Sequence, residues 1–258
     1  MNQTPRVSME RAARILGTHW FHRRFALTPE GRYVTVTELA EWARGPYDQL
    51  RKNLLLRSRT TESAPRVVLL APARHGEGAT TTAVLLAASL ATTHRCLLME
   101  LNFRRPGIAL ALGLDETPGL SALLKNAVGH IGGGEIERAI QRTGVANLFA
   151  LPNSIDGAQR ALPEIEAVET IVGHVRQSFD YVVIDAAPVL GYPDTALFAP
   201  LADAVVLIVA ADSTPVETGV EARREIERAR AHIVGAVLTR QRRFVPEVLA
   251  RRVGSTNQ

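Results

Sequence analysis

Residues 75–81 have the composition of a loop that binds phosphate. They follow an apolar run that begins at Val67 and precede a stretch typical of a helix. Where a strand, a glycine-containing turn and a helix follow one another, backbone N–H groups and the helix N-terminus face an anion. The hydroxyl of Thr80 stands where Mg²⁺ would find a ligand. The predicted nucleotide-binding residues of this loop are His75, Gly76, Glu77, Gly78, Ala79, Thr80 and Thr81.

The same loop lacks the lysine that usually makes such a site catalytic. The complete pattern, Gly-x4-Gly-Lys-Ser/Thr, would place glycine at position 73 and lysine at position 79, where this chain has Ala73 and Ala79. Charge-assisted hydrogen bonds of the kind that lysine donates to phosphate contribute on the order of 1.5–3 kcal/mol each. Backbone N–H groups bind phosphate without that side chain, whereas phosphoryl transfer depends on positioned charge. We therefore expect chemistry to suffer more than binding.

A second candidate site residue ends an apolar strand further along the chain. The segment from Phe179 to Asp185 places four apolar residues before Asp185, where a carboxylate can hold Mg²⁺ or its bound water. An aspartate after a strand is often only a turn residue. The position of Asp185 after the fourth predicted strand favours the site interpretation, with Thr80 and Asp185 as the Mg²⁺ ligands.

Apolar runs and helical stretches alternate from residue 66 onward, which predicts an α/β fold with a doubly wound, mostly parallel sheet. The predicted strands are 66–71, 95–101, 147–151, 181–185, 204–210 and 233–238. The predicted helices are 79–92, 119–125, 134–142, 164–178, 215–232 and 244–253. Together with the loop, this pattern predicts the P-loop NTPase fold for residues 61–258.

The first 60 residues are expected to form a helical N-terminal extension and a linker. Residues 9–16 favour a short helix, residues 35–38 have capping-box spacing ahead of the apolar residues in 39–43, and residues 47–56 carry an apolar helical stripe. The polar segment 58–65 ends in proline and is typical of a linker.

The overall composition fits a globular protein, with 46% hydrophobic and 22% charged residues and a net charge of +4. The longest apolar runs are shorter than the roughly 20 residues that cross a bilayer, and the N-terminus is polar where a signal peptide is apolar. These features predict a cytoplasmic protein. The arginine doublets favour solvated helix faces over nucleic-acid contacts, because acidic residues follow Arg223-Arg224 and no regular aromatic residues accompany the others.

In combination, these segments resemble the bacterial tyrosine kinases of the CpsD/CapB type, within the MinD/ParA-like P-loop ATPases. The resemblance covers roughly residues 45 to 245. Besides the Gly-Glu-Gly loop, it is carried by Arg104-Arg105-Pro106, residues 119–124, the strand 179–185, Asp194, Ala202-Asp203 and residues 235–238. It implies ATP and Mg²⁺ as cofactors, a membrane-bound polysaccharide chain-length or export protein as partner, a location at the inner membrane through that partner, and a homo-oligomer.

Several positions depart from the pattern of that family. The family's Asp-x-Asp motif, assigned to Mg²⁺ and to activating the attacking hydroxyl, is Glu100 and Asn102 here, so the resemblance gives Glu100 and Asp185 as the catalytic positions. Thr239 replaces an asparagine that helps to hold the base. The helical motif associated with ring assembly reads Gly45, Asp48 and Arg51, and no tyrosine occurs in residues 251–258.

These departures predict a degenerate member that acts as a cytoplasmic regulatory subunit of exopolysaccharide or capsule biosynthesis and export, without tyrosine kinase activity. One alternative is an active kinase or ATPase that uses Glu100 and Arg74 in altered roles. Arg74 stands where MinD/ParA relatives place a second lysine, and it would either bind phosphate bidentately or be a solvated loop residue. The other alternative is a ParA/MinD-like positioning ATPase.

Overall fold

The computed structural model describes residues 44–57, 65–115, 117–126, 131–154, 163–211 and 213–240. The helices predicted at 9–16, 35–43 and 244–253 and nearly all of the predicted linker lie outside these residues. Within them, no helix has the length and apolar composition needed to cross a bilayer.

The described residues form a seven-stranded sheet whose spatial order is β3-β4-β2-β5-β1-β6-β7. All neighbouring strands are parallel except β3, which pairs antiparallel with β4 at one edge. The predicted doubly wound fold is thereby confirmed. The strands are β1 (Val67–Pro72), β2 (Cys96–Leu101), β3 (Gln141–Arg142), β4 (Leu148–Leu151), β5 (Tyr181–Ala186), β6 (Ala204–Ala210) and β7 (Ile233–Thr239).

Helices cover both faces of this sheet. They are α1 (Arg44–Arg57), α2 (Ala79–Ala91), α3 (Ile108–Leu112), α4 (Leu120–Asn126), α5 (Gly133–Ala139), α6 (Ile165–Ser178), α7 (Asp194–Phe198) and α8 (Val216–Arg228), and a 3-10 turn spans Ala199–Leu201. Helices α3 and α7 were not predicted, because five residues are too few to show a helical period.

Two of the predicted helix ends are wrong. The helix predicted over 134–142 ends at Ala139, and the next residues turn back to form β3. The helix predicted to reach 232 ends at Arg228, where Arg230 adopts a left-handed φ of 61° that stops the helical path.

The two faces of the sheet have separate apolar cores. One face is covered by α4 to α8, with fully buried residues such as Ile171 and Ile226. The other face is covered by α2, by Ile108 of α3 and by α1 through Leu54. Because successive strand residues point to opposite faces, Glu100 and Asp185 lie on the second face, beneath the start of α2.

Polar contacts fasten α1 to the C-terminal end of α2. The Ser89 hydroxyl donates to Asp48 Oδ1 at 2.6 Å. Arg51 Nη1 donates to Thr92 Oγ1 at 2.8 Å and to the Ser89 carbonyl at 3.3 Å. Two of the three positions that replace the family's assembly motif, Asp48 and Arg51, therefore contact the chain's own helix.

Candidate nucleotide site

The predicted phosphate loop connects β1, a central strand, to the N-terminus of α2. Gly76 and Gly78 adopt left-handed φ values of 79° and 84°, which residues with a side chain rarely adopt, and Gly78 precedes the first helical residue. The loop therefore has the tight turns that bring backbone N–H groups to an anion at the helix N-terminus. It lies at the carboxyl edge of the parallel sheet, where open α/β folds bind their ligands.

Glu77 points into the protein rather than toward an anion. Its side chain is buried, and its Oε2 accepts a hydrogen bond from the Arg74 N–H at 2.9 Å, while Oε1 accepts one from the Thr214 hydroxyl at 2.6 Å. The Glu77 carbonyl accepts a third, from Thr239 Oγ1 at 2.6 Å. The loop is thus tied to the segment that follows β6 and to the end of β7.

Ala79 is the first residue of α2, and its methyl group is buried in the core of the second face. An ammonium group is therefore missing at the place where the complete motif would present one to the phosphates. Thr81, in the same first helical turn, is half-buried, and the side chain of Arg74 is exposed.

The predicted Mg²⁺ ligands Thr80 and Asp185 are in direct contact. The Thr80 hydroxyl donates to Asp185 Oδ2 at 2.6 Å, and burial raises the pKa of Asp185 to about 7. Asp185 Oδ1 is buried and has no hydrogen-bond partner among the described residues. A buried carboxylate oxygen that lacks a partner is expected to find a cation or a water.

The Thr80 hydroxyl and the Asp185 carboxylate fit a Mg²⁺ ion that is bound together with the phosphates of a nucleotide. Across the described ranges, no group of three or more His, Cys, Asp and Glu side chains is arranged to hold a metal ion. Mg²⁺ is usually bound through one or two protein ligands together with substrate phosphates and waters. Asp185 and Thr80 can supply the protein ligands, and the phosphates must supply much of the remainder.

Glu100 is engaged by the backbone on both of its oxygens. Oε1 accepts hydrogen bonds from the N–H groups of Gly107 and Ile108, and Oε2 accepts one from the Asn153 N–H at 2.9 Å. Burial and the neighbouring Asp185 raise the pKa of Glu100 to about 8, although the three backbone donors act in the opposite direction. Glu100 thus caps the N-terminus of α3 and holds the loop that follows β4.

Asn102 shapes the turn after β2 with its side-chain amide. Its Oδ1 accepts hydrogen bonds from the N–H groups of Arg104 and Arg105, at 3.3 and 3.0 Å. A carboxylate could accept the same two bonds, so the replacement keeps the fold of the turn. An amide cannot, however, take a proton from a hydroxyl as a carboxylate does.

A charged and aromatic stack borders the loop on the side of β2. Arg104 forms a bidentate ion pair with the fully buried Asp194, at 2.8 and 2.9 Å. The Arg104 guanidinium lies 4.8 Å from the centre of the Tyr192 ring, and His75 packs edge-on against that ring at 5.9 Å. Burial and the nearby Arg105 lower the pKa of His75. The stack joins the phosphate loop to the segments that follow β2 and β5.

The sequence did not identify Thr214, Tyr192 or Arg240 as residues of the site. Arg240 Nη2 donates a hydrogen bond to the Gly76 carbonyl from the end of β7, next to the predicted base-binding position Thr239. No local pattern marks these residues, because they reach the loop from distant parts of the chain.

A family model and several curated proteins are similar in sequence to this chain. A family model described as an AAA domain, AAA_31, matches residues 65–230. The tyrosine-protein kinase YwqD of Bacillus subtilis is 25% identical over 208 residues, which cover 80% of this chain and 84% of that protein. The succinoglycan biosynthesis transport protein ExoP of Rhizobium meliloti is 32% identical over 155 residues, or 59% of this chain and 19% of that protein.

Solved structures show the same fold. The VpsO kinase domain has a TM-score of 0.64 at 23% identity, covering 79% of this chain and 99% of that domain. The septum site-determining protein MinD from Pyrococcus horikoshii, complexed with Mg-ADP, has a TM-score of 0.59 at 19% identity, covering 73% of this chain and 76% of that chain.

Proposed function

The chain belongs to the AAA domain family AAA_31. We propose that it is a nucleotide-binding regulatory subunit of exopolysaccharide or capsule biosynthesis and export, and that it does not phosphorylate tyrosine. It binds ATP with Mg²⁺ through the phosphate loop, Thr80 and Asp185. It works at the inner membrane by docking on a polysaccharide chain-length or export protein. The similarity to a segment of ExoP, a biosynthesis transport protein, supports a partner of this kind.

The engagement of Glu100 is the observation that carries the proposal. Its two oxygens already receive three backbone hydrogen bonds, from Gly107, Ile108 and Asn153. A general base must reach the proton that it removes with a free lone pair, whereas Glu100 is completely buried and three of its roughly four lone-pair sites are taken. Releasing Glu100 for that task would leave three buried N–H groups without their acceptor, at a cost of about 1–3 kcal/mol each.

The two other altered positions support the same conclusion. The methyl group of Ala79 contributes no charge to the phosphates, and the amide of Asn102 is not basic. Binding depends less on these positions, because the backbone of the loop keeps its left-handed glycines at 76 and 78. Nucleotide binding without phosphoryl transfer is the combination that this site supports best.

The test compares binding and transfer on the same preparation. Calorimetry with Mg-ADP and with Mg-ATP is expected to show binding, and a radiolabelled ATP assay with a poly(Glu,Tyr) substrate is expected to show no phosphotyrosine. Phosphotyrosine that is formed by the wild-type chain and lost in Asp185→Ala would overturn the proposal.

A second candidate is an active ATPase. The direct contact of Thr80 with Asp185, and the unpartnered Oδ1 of that aspartate, favour a working Mg²⁺ site. Steady release of ADP that disappears in Asp185→Ala, without any phosphotyrosine, would identify this function.

A positioning ATPase of the ParA/MinD type remains the third candidate. It would need an arginine-rich surface for DNA or lipid. On α8, Arg223 pairs with Glu227 at 2.7 Å and Arg228 pairs with Glu225, so these arginines belong to a solvated helix face. Salt-sensitive DNA binding would favour this candidate over the proposed function.

A further inference from the structure

We propose that Glu77 is a positioning residue of the phosphate loop, whose carboxylate holds the loop in its anion-binding shape before a nucleotide arrives. The carboxylate would touch neither the phosphates nor the Mg²⁺ ion. This inference rests on the proposed nucleotide binding, and it names the side chain that prepares that site. Glu77 is among the residues predicted to contact the nucleotide, and the positioning role differs from that prediction.

The backbone around Glu77 turns its N–H groups to one side. Gly76 and Gly78 have left-handed φ values, whereas Glu77 between them does not. Such an alternation of hand directs successive N–H groups into a concavity that binds anions. The Thr239 hydroxyl holds the Glu77 carbonyl at 2.6 Å, and the Gly78 N–H of the same trans peptide points in the opposite direction. The loop therefore presents this N–H group on the side away from Thr239.

The Glu77 carboxylate closes the turn from within. Its Oε2 accepts a hydrogen bond at 2.9 Å from the N–H of Arg74, three residues earlier, so the two ends of the turn are joined. Its Oε1 accepts one at 2.6 Å from the hydroxyl of Thr214, in the segment that follows β6. The side chain is only 3% exposed, and hydrogen bonds are stronger in such surroundings than in water. These contacts set the conformation of the loop without any ligand.

A loop that is held in this way loses little conformational freedom when an anion binds. Fixing a mobile backbone costs entropy, and a preorganised site avoids that cost at the moment of binding. Because position 79 is an alanine and not a lysine, the alignment of the N–H groups must carry more of the affinity for phosphate. Loss of the Glu77 carboxylate should therefore weaken binding, although this group points into the protein.

The proposed role depends on the hydrogen bonds of Glu77 and not on its charge. Both groups that donate to the carboxylate, the Arg74 N–H and the Thr214 hydroxyl, are uncharged. A glutamine could accept from the Arg74 N–H and donate to the Thr214 oxygen, because a hydroxyl is both a donor and an acceptor. Glu77→Gln should therefore keep the loop in place. A carboxylate that bound Mg²⁺ or took a proton would not be replaced by an amide.

The experiment measures binding of Mg-ADP and of inorganic tripolyphosphate by calorimetry. Glu77→Met, which has a similar length and no oxygen, is expected to weaken both ligands by about tenfold or more. Glu77→Gln is expected to bind both within about twofold of the wild type. Glu221→Ala removes an exposed carboxylate from α8 and is the matched control, which should bind as the wild type does.

Two further measurements report on the loop itself. The Arg74 amide should exchange with solvent faster in ligand-free Glu77→Met than in the wild type, and at nearly the wild-type rate in Glu77→Gln. Thr214→Val removes only the hydroxyl, and it should weaken both ligands by about threefold or more. Since the two side chains act through one contact, adding Thr214→Val to Glu77→Met should cause little further loss.

Two results would overturn the inference. Equal affinity of Glu77→Met and the wild type for both ligands would show that the loop keeps its shape without the carboxylate. A loss in Glu77→Gln as large as that in Glu77→Met would show that the charge itself is used. Either result leaves the proposed nucleotide binding intact, whereas a wild-type chain that binds neither ligand fails both proposals.

Melting temperatures within about 4 °C of the wild type keep unfolding from imitating a binding defect. If Glu77→Met melts below that limit, Thr214→Val takes its place in the comparison. Unchanged affinity of Thr214→Val for both ligands would then overturn the inference.

Discussion

Glu100 on β2 and Asp185 on β5 are register partners in the parallel sheet, and both carboxyl groups are completely buried. Their environments nevertheless differ. Backbone N–H groups engage both oxygens of Glu100, whereas Asp185 accepts one hydrogen bond from the Thr80 hydroxyl, and its other oxygen has no partner in the part of the chain that the structure describes. The oxygens of Glu100 are thus engaged in holding two loops, whereas we propose that the unsatisfied oxygen of Asp185 faces a ligand, although the family pattern would assign both acids to catalysis.

The raised pKa values of these two acids predict that the protein becomes less stable as the pH rises. In the unfolded chain Asp and Glu have pKa values of about 4, whereas the folded pKa of Asp185 is about 7 and that of Glu100 about 8. The folded state thus binds more protons between those limits, so stability is fully present below pH ~4 and is lost as the pH rises through 7 and 8. From pH 5 to pH 8, Asp185 alone should lower the free energy of unfolding by about 2–3 kcal/mol.

Urea unfolding at pH 5, 6, 7 and 8 checks this expectation. Asp185→Asn keeps an acceptor for Thr80 and should show a flatter pH dependence than the wild type. Glu100→Gln provides a second comparison. A variant whose stability falls with pH as steeply as that of the wild type would show that the substituted acid does not titrate in this range.

Replacing Glu100 should lower the free energy of unfolding strongly while changing nucleotide binding little. Glu100→Ala leaves the N–H groups of Gly107, Ile108 and Asn153 without their acceptor, and we expect a loss of about 3 kcal/mol or more. Glu100→Gln keeps one acceptor oxygen and should lose less. Chemical denaturation of the three proteins, with Mg-ADP affinity measured in parallel, tests this. A folded and fully stable Glu100→Ala protein with altered nucleotide turnover would instead assign Glu100 to the reaction.

The lysine variant Ala79→Lys should increase nucleotide affinity without creating a kinase. A lysine at the start of α2 would add charge-assisted contacts to the phosphates, and about a tenfold gain in Mg-ADP affinity is expected. Tyrosine phosphorylation should remain undetectable, because Asn102 and the engaged Glu100 are unchanged. Ala79→Met, which has a similar length but no charge, is the control. A failure of the lysine to raise affinity above that of the methionine variant would show that the loop does not receive phosphate.

The ion pair between Arg104 and Asp194 should respond unequally to the loss of each partner. Arg104→Ala leaves a buried carboxylate without its bidentate partner, and we expect a destabilisation of about 3–5 kcal/mol. Asp194→Asn keeps an acceptor and leaves an arginine that is partly exposed, so the cost should be clearly smaller. Thermal unfolding of both variants measures the difference. Equal losses, or a larger loss for the asparagine variant, would contradict this assignment.

The fold could be predicted well because parallel strands that are buried on both faces appear in the sequence as nearly continuous apolar runs. All six predicted strands are present, and the relatives confirm the resemblance to bacterial tyrosine kinases that the loop, the Arg-Arg-Pro triplet and the strand before Asp185 indicated. Strand β3 escaped prediction since two residues show no period.

The contacts within the site were harder to predict. Nothing local indicates that Glu77 turns inward, because its partner Thr214 is 137 positions away. The structural role of Glu100 could not be predicted either, because its carboxylate accepts hydrogen bonds from N–H groups in two separate segments, one after β2 and one after β4. Arg240 could not be linked to Gly76 for the same reason. Spacing within a motif indicates which chemistry is present, but it does not show which side chains the fold uses for its own support.

The attachment of α1 to the far end of α2 has a mechanical consequence. The phosphate loop leads into the first residue of α2. At the other end of this helix, Ser89 in the last turn and Thr92 just after it bind α1. The 13 residues of α2 form a stiff rod about 20 Å long. The contacts with α1 and the glycines of the phosphate loop therefore lie at opposite ends of one helix. Because a helix resists compression and bending, a displacement of α1 along the axis of α2 would displace the phosphate loop as well.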